Sequence, residues 1–338
     1  MDLMDIVSNT LRAGISQSAV IYALAAIGLN LHFGFTGLLN FGQVGFMAAG
    51  AYGLGITTYT YNWPLWAGIL AGLAAGVVLG LLLGAPTLRL RADYLAIVTI
   101  AAGEIIRLVV RAARLRNITG GSNGLNGFAD SFQNWNPLDP SAAYGARVFE
   151  GELNLRFTGA DLWEMAVGWS LVAVAVFVMW LLVTSPWGRV LKSIREDEDA
   201  ARALGKNVFR FKMQSLILGG TFGTVAGMYF ATVNNSVQPD NYSTPVTFFA
   251  LTAAIMGGLG KVFGPVVGSM LFWMILAFTD NLLRQLVSEG HIPSSLMENV
   301  QIGQVRFMLV GLGLVLLMVF RPQGVFGDKR EIAIDARR

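Results

Sequence analysis

Apolar runs of roughly membrane-spanning length alternate with short polar or glycine-rich breaks along the chain, at about 14–33, 40–60, 65–84, 92–110, 162–186, 211–232, 246–260, 262–287 and 304–320. A helix needs about 20 apolar residues to cross a hydrocarbon layer. The pattern predicts an all-α polytopic membrane protein with about eight to ten transmembrane or re-entrant helices. It forms a single transmembrane domain over residues 1–338. Basic residues test the orientation, because positively charged loops collect on the cytoplasmic side. With each run counted as one crossing, Arg89, Arg91, the stretch from Arg189 to Lys212, Lys261 and the tail at 321–338 fall together on that side. The loop at 187–210 lies there too, and the loop at 111–161 lies on the outer side. Arg111, Arg114 and Arg116 run against the bias.

Two runs are not uniform. GFTGLLNFGQVGFMAAGAYGLG at 34–55 is rich in glycine and carries Asn40 and Gln43, which predicts a broken helix. AAIMGGLGKVFGPVVG at 253–268 has the same character in the second half, and paired interruptions predict an internal pseudo-repeat. Gly68, Gly72, Gly76, Gly80 and Gly84 recur every four residues and form one flat stripe on a helix. Gly219, Gly223 and Gly227 repeat the pattern, as do Gly260, Gly264 and Gly268. Such stripes let helices approach closely in lipid. Spacing alone leaves open whether they pack within the subunit, form a dimer face or line a path.

The composition agrees with lipid as the solvent: 54% of residues are hydrophobic and 13% charged, against about a quarter charged in soluble domains. The net charge of +3 sits in loops beside apolar spans, so nucleic acid is not needed to explain it. There is no cysteine, which excludes disulfides and thiolate metal sites. His32 and His291 are far apart and read as structural. Asp2 and Asp5 before Arg12 do not make a signal-peptide n-region, so the first span is expected to be retained.

The segment between Trp187 and Phe211, GRVLKSIREDEDAARALGKNVFR, carries helix signals of its own. Ser193 followed by Glu196 has the spacing of a capping box, the acids from Glu196 to Asp199 suit a helix amino terminus, and Gly205 suits a carboxyl end. Ile194, Ala201, Leu204 and Val208 then share an approximate apolar face. That face needs cover, from either the bilayer surface or another protein. The four acids point in different directions and do not make a metal site.

At this segment the chain resembles a known family. IREDEDAARALGKNVFRFK is similar to the cytoplasmic coupling loop of ABC-importer permeases, in the LivM-type variant that carries branched-chain amino acids. LNLHFGFTGLLNFGQVGFMAAGAY at 29–52, LRADYLAIVTIAAGEIIRLV at 90–109, ITGGSNGL at 118–125 and IMGGLGKVFGPVVG at 255–268 extend the resemblance in order. The resemblance implies a helical fold of two pseudo-repeated halves, a second related permease subunit, two cytoplasmic ATPase subunits and an extracytoplasmic solute-binding protein. It also implies that Ser193, Ile194, Glu196, Ala201, Leu204 and Gly205 sit in a groove of one ATPase. No cofactor is expected on this chain; ATP and magnesium would belong to the ATPases. Gly260-Lys261 is followed by Val262 and lacks the first glycine of a P-loop, and no HExxH or membrane GxSxG occurs, so the chain reads as a non-enzyme.

Charges inside spans are costly unless paired. Glu104 and Arg107 stand three apart, and Asp280 and Arg284 four apart, so each pair can neutralise itself across one turn. They are structural pairs or substrate contacts. The candidate translocation path takes Asn40, Gln43, Glu104, Arg107, Asn234 and Asn235. The 111–161 loop is either a docking surface for a binding protein or a lid. Asn117-Ile118-Thr119 matches a sequon without functional weight. Two rivals share the pattern: the same architecture importing urea or short amides, and a secondary transporter driven by an ion gradient through Glu104 or Asp280.

Overall fold

The computed structural model describes residues 3–89, 92–148, 153–289, 302–320 and 324–326. Asp2, Arg91, His291 and all of the tail except 324–326 lie outside them. The fold is helical: α1 (Leu3–Ile15), α2 (Gln17–Leu29), α3 (Gln43–Gly55), α4 (Leu65–Thr87), α5 (Ala92–Arg111), α6 (Gly159–Thr184), α7 (Pro186–Glu196), α8 (Glu198–Ala203), α9 (Val208–Val233), α10 (Thr244–Gly257), α11 (Gly264–Ser288) and α12 (Ile302–Phe320), joined in places by single turns. Among the described residues, five helical stretches are long and apolar enough to cross a membrane: Gln17–Thr36, Leu65–Thr87, Gly159–Thr184, Val208–Val233 and Gly264–Ser288.

The runs at 40–60 and 246–260 are not single uninterrupted crossings. Wide π-helical turns carry α2 on to Thr36, Gly37 turns the chain in the left-handed region at φ 73°, and α3 begins only at Gln43. On the other side, α10 ends at Gly257, and Gly258 (φ 107°) and Gly260 (φ 76°) lead into α11. The glycines supply backbone conformations that other residues rarely adopt. That is why breaks fall where the sequence is richest in them.

Burial follows composition. Helix α2 is apolar on all sides, and its residues from Ala19 to Leu29, Tyr22 excepted, are buried, the signature of a helix at the centre of a bundle. Helix α4 is equally apolar but buries its glycine edge, with Leu70 and Leu82 exposed on the rest of its surface. All five glycines of that stripe are consumed inside the subunit. Gly72 lies against Gly50 and Met228, Gly76 against Thr224, Gly80 against Ile217 and Gly84 against Met213. The stripe is therefore not a free dimer face. Gly219, Gly223 and Gly227 on α9 face the other way, onto His32, Gln43 and Met47. Gly264 and Gly268 press α11 onto the end of α10, and Gly260 meets Gly34.

The two ends of the bundle differ in charge. At one end Arg89 stacks over Phe209, Lys192 over Phe35, and Lys212 pairs with Glu198. Lys261 is held there through its carbonyl by Asn30. At the opposite end the 111–161 loop is ordered by β1 (Leu125–Asn126), β2 (Ala143–Val148), β3 (Leu153–Thr158) and β4 (Ser236–Val237). Strand β1 pairs with β4 and β2 with β3, both antiparallel. A capping box between Thr158 and Asp161 then starts α6.

Candidate translocation core and coupling elbow

The interruption at 37–42 drops a cluster of polar side chains into an otherwise apolar core. Asn40 and Gln43 are wholly buried, as is His32. His32 Nε2 faces the Leu216 carbonyl at 3.3 Å, so it carries the proton, which leaves Nδ1 to accept from Asn40 Nδ2 at 3.1 Å. Asn40 Nδ2 also donates to Gln43 Oε1 (3.2 Å), and Gln43 Nε2 donates to the Gly219 carbonyl (3.0 Å). Asn40 Oδ1 accepts from the Gly42 amide (2.9 Å). Thr247 on α10 accepts from the Val44 amide (2.9 Å), and Thr36 bonds Ser215 (2.6 Å). The Val44 amide, one of the first amides of α3 that the helix cannot satisfy internally, thus finds its partner on another element, and the Gly42 amide before it finds one on Asn40. The absent side chains of Gly219 and Gly223 leave the room that His32 and Gln43 occupy.

The candidate path residues do not form one group. Asn40 and Gln43 meet, but Glu104 and Arg107 lie elsewhere, near the end opposite the basic one. There Arg107 Nε bonds both Glu104 oxygens (3.0 and 3.1 Å) and Nη1 reaches Asp240 (2.7 Å), which Arg111 shares at 3.2 Å. The pair thus belongs to a four-residue tie between α5 and the turn at Pro239–Tyr242, which also accounts for Arg111, one of the arginines that ran against the charge bias. Asp280 likewise gains a second partner beyond Arg284 (2.8 Å), Arg306 on α12 (3.2 Å). Asn234 turns back onto the Phe230 carbonyl of its own helix. Asn235, at φ 47°, accepts from the Ala129 amide (2.7 Å) and donates to Asp130 (2.7 Å), clasping the long loop to the end of α9. Asn235→Ala should release this clasp at a local cost of about 1–3 kcal/mol. Limited proteolysis should then cut within 127–135 faster than in the unmodified chain.

At the basic end, residues 185–208 form an elbow of two helices, where the sequence suggested one. Ser185 caps α7 by accepting from the Gly188 amide, with Pro186 in the first turn. This upstream start places Ser193 inside α7, where its hydroxyl bonds the Val190 carbonyl (2.8 Å), so the expected Ser193–Glu196 capping box does not form. The second cap is Asp197, in extended conformation, which accepts from the Asp199 and Ala200 amides (3.0 and 2.9 Å). Gly205, at φ 77°, closes α8: its amide bonds the Arg202 carbonyl and that of Lys206 bonds Ala201, a Schellman end.

The apolar face also divides. Ile194, Ala201 and Val208 are buried against each other, with Val190 and Phe211, and need no outside partner. Leu204 points away and is 78% exposed. Glu198 bonds Arg202 (3.0 Å) and Lys212, and so fixes α8 to α9. Neither Arg195, Asn30, Thr247 nor Asp240 was visible as a site residue in the sequence. Each acts on a partner more than 100 positions away, with no local spacing to reveal it.

The chain is similar in sequence to known proteins along most of its length. The family described as "Branched-chain amino acid transport system / permease component" matches residues 11–320. The chain is 32% identical over 316 residues to the high-affinity branched-chain amino acid transport system permease protein LivM of Escherichia coli K12, covering 92% of this chain and 69% of that protein. A probable branched-chain amino acid transport permease LivM of Methanocaldococcus jannaschii is 23% identical, with 91% of each chain covered. The nucleoside ABC transporter permease NupC of Lactococcus lactis is 25% identical, with 85% of this chain and 86% of that protein covered. No solved structure matches. By the extent of these matches, the chain belongs to the family of permease components of branched-chain amino acid transport systems.

Proposed function

We propose that this chain is the membrane permease subunit of an ATP-driven importer of branched-chain amino acids, working in the bacterial cytoplasmic membrane. ATP and magnesium bind to two separate ATPase subunits, a second related permease completes the pore, and an extracytoplasmic binding protein delivers solute to the 111–161 loop. The observation that carries the reading is the elbow. It is a capped, internally packed two-helix unit at the basic end, built between two spans, and it presents Leu204 outward with nothing among the described residues to cover it. A rigid helical projection with an apolar residue at its tip suits a groove in another protein. The Ile194–Ala201–Val208 face is turned inward, so the contact surface falls to Leu204 with the exposed Ser193, Glu196, Arg202 and Gly205 around it.

Leu204→Glu is the direct test. Because the side chain is exposed, the melting temperature should not change, whereas co-purification of the ATPases should fall about tenfold, the equivalent of about 1.4 kcal/mol. Unchanged co-purification would show that the elbow tip is not the contact. The likeness to a nucleoside permease keeps other small polar solutes in view as cargo. Reconstitution with the proteins encoded beside this chain, followed by a screen of amino acids, nucleosides, urea and amides for stimulated ATP hydrolysis, decides among them. Uptake abolished by collapsing a proton gradient, with ATP present, would favour an ion-driven carrier.

A further inference from the structure

The elbow is tied to α9 by Trp187 Nε1, which donates to Gln214 Oε1 (2.9 Å), and by Glu198 with Lys212, and it meets the turn before the first interruption at one further polar point. Arg195, in the last turn of α7, donates from Nη1 to the carbonyl of Gly34, in the last wide turn before the first interruption. The same nitrogen lies 3.5 Å from where a Cβ on Gly260 would stand, in the second interruption, and the arginine stem lies against Gly37. Among the described residues this is the one side-chain hydrogen bond from the elbow to either break; its other ionic partner is the neighbouring Glu196 (3.2 Å). Lys192, one turn earlier, adds a contact over the Phe35 ring at 5.6 Å.

The two breaks are in turn joined by Asn30. Its Oδ1 accepts from the Gly260 amide (2.8 Å) and its Nδ2 donates to the Lys261 carbonyl (2.8 Å), so one carboxamide holds backbone groups of two successive residues. The turn at 324–326 joins the same assembly, with the Val325 and Phe326 amides bonded to the Met256 and Gly257 carbonyls at the end of α10. Four segments distant in sequence thus share one hydrogen-bonded joint. The His32–Asn40–Gln43 cluster is covalently continuous with it, since Gly34 and Gly37 lie between His32 and Asn40.

We propose that Arg195 is a positioning residue for transport, transmitting movement of the elbow to both helix interruptions, with Asn30 relaying it from the first to the second. The inference rests on the elbow being the receiver of force from an ATPase. A rigid unit moves whole. Asp197, Gly205, the Ile194–Ala201–Val208 core and the Glu198 pairs make the elbow such a unit. Its displacement must therefore pass to the core through its contacts: Trp187 and Glu198 carry it to α9, and the guanidinium, a fixed planar donor, carries it toward the interruptions. The glycine backbone it grips is the part of the bundle best able to change conformation.

The test uses the full complex in proteoliposomes: this chain, its companion permease, the ATPases and the binding protein, with radiolabelled L-leucine as solute. In R195A the ATPases should stay bound and hydrolyse ATP within about twofold of normal, while leucine taken up per ATP hydrolysed should fall about tenfold, the scale of an ordinary coupling between sites. R195K, which keeps the charge and a donor for Gly34 but not the planar fork, should lose less, and it carries the test alone if R195A does not assemble. Unchanged uptake per ATP in either variant, or uptake and hydrolysis falling in proportion, would overturn the proposal and leave the elbow's docking role standing. If the unsubstituted chain binds no ATPase, both fall.

Discussion

Gly76→Leu is expected to prevent the bundle from closing. A side chain at this position would stand 2.9 Å from both the Cβ and the Cγ2 of Thr224, and closer still to its hydroxyl oxygen. Thr224 cannot retreat, because it is buried on α9 with its hydroxyl bonded to the Gly220 carbonyl (3.0 Å), and Gly50 packs against its carbonyl and Cγ2. Overpacking a core by one or two methylenes costs about 1–3 kcal/mol. A four-carbon side chain forced between two helix backbones should cost at least about 3 kcal/mol. The measurement is size-exclusion behaviour and thermal melting in detergent, with Val78→Leu, on the exposed face of the same helix, as control. Normal assembly of Gly76→Leu would show that α4 and α9 do not meet along this stripe.

Asn40→Ala should give the second large loss. The carboxamide serves three partners, His32 Nδ1, Gln43 Oε1 and the Gly42 amide, all in a region without access to water. Removing one side of a buried hydrogen bond leaves a desolvated group at about 1–3 kcal/mol each. Water admitted to the vacated space would offset part of this. A fall in stability of about 3 kcal/mol is expected, read as a lower melting temperature, with Asn40→Asp less affected at the Gly42 amide. Stability equal to the unsubstituted chain would mean that the network is not closed in the membrane. The structure shows these groups satisfied by one another, so any solute passing here must exchange places with those bonds.

Much of the architecture could be seen in the letters, because the bilayer is a demanding solvent. Backbone groups in lipid must be satisfied within their own segment, so apolar length alone located the long helices from α2 onward, though not α1 at Leu3–Ile15, which precedes the first apolar run. The glycine-rich passages marked both interruptions, since Gly37, Gly258 and Gly260 take left-handed or extreme angles there. Gly205 likewise announced the end of α8. The Glu104–Arg107 and Asp280–Arg284 pairs formed as spaced, because partners three and four apart on a helix are neighbours whatever surrounds them.

The failures share a cause of the opposite kind. Ser193 had a suitable partner at Glu196, but two competing starts, Ser185-Pro186 upstream and Asp197 downstream, divided the segment between them. Local spacing ranks candidates without saying which wins. Leu204 shared a face with Ile194 and Ala201 only on the premise of one continuous helix; with the break at Asp197 that face folds onto itself and leaves Leu204 outside. Asn234 and Asn235 looked alike in sequence, yet one bonds its own helix and the other a loop more than 100 residues earlier.

The sequence by itself determined a helical membrane protein, the places where its helices break and the family to which its motifs point. Each follows from period, length and the glycine backbone, which act over a turn or two. Only the tertiary structure decided that the glycine stripes are spent inside the subunit, that Asn40 and Gln43 close on His32, and that Arg195 and Asn30 join the elbow to both interruptions. Those outcomes depend on which backbone groups of distant segments are brought within about 3 Å of a side chain. No spacing along the chain encodes that distance.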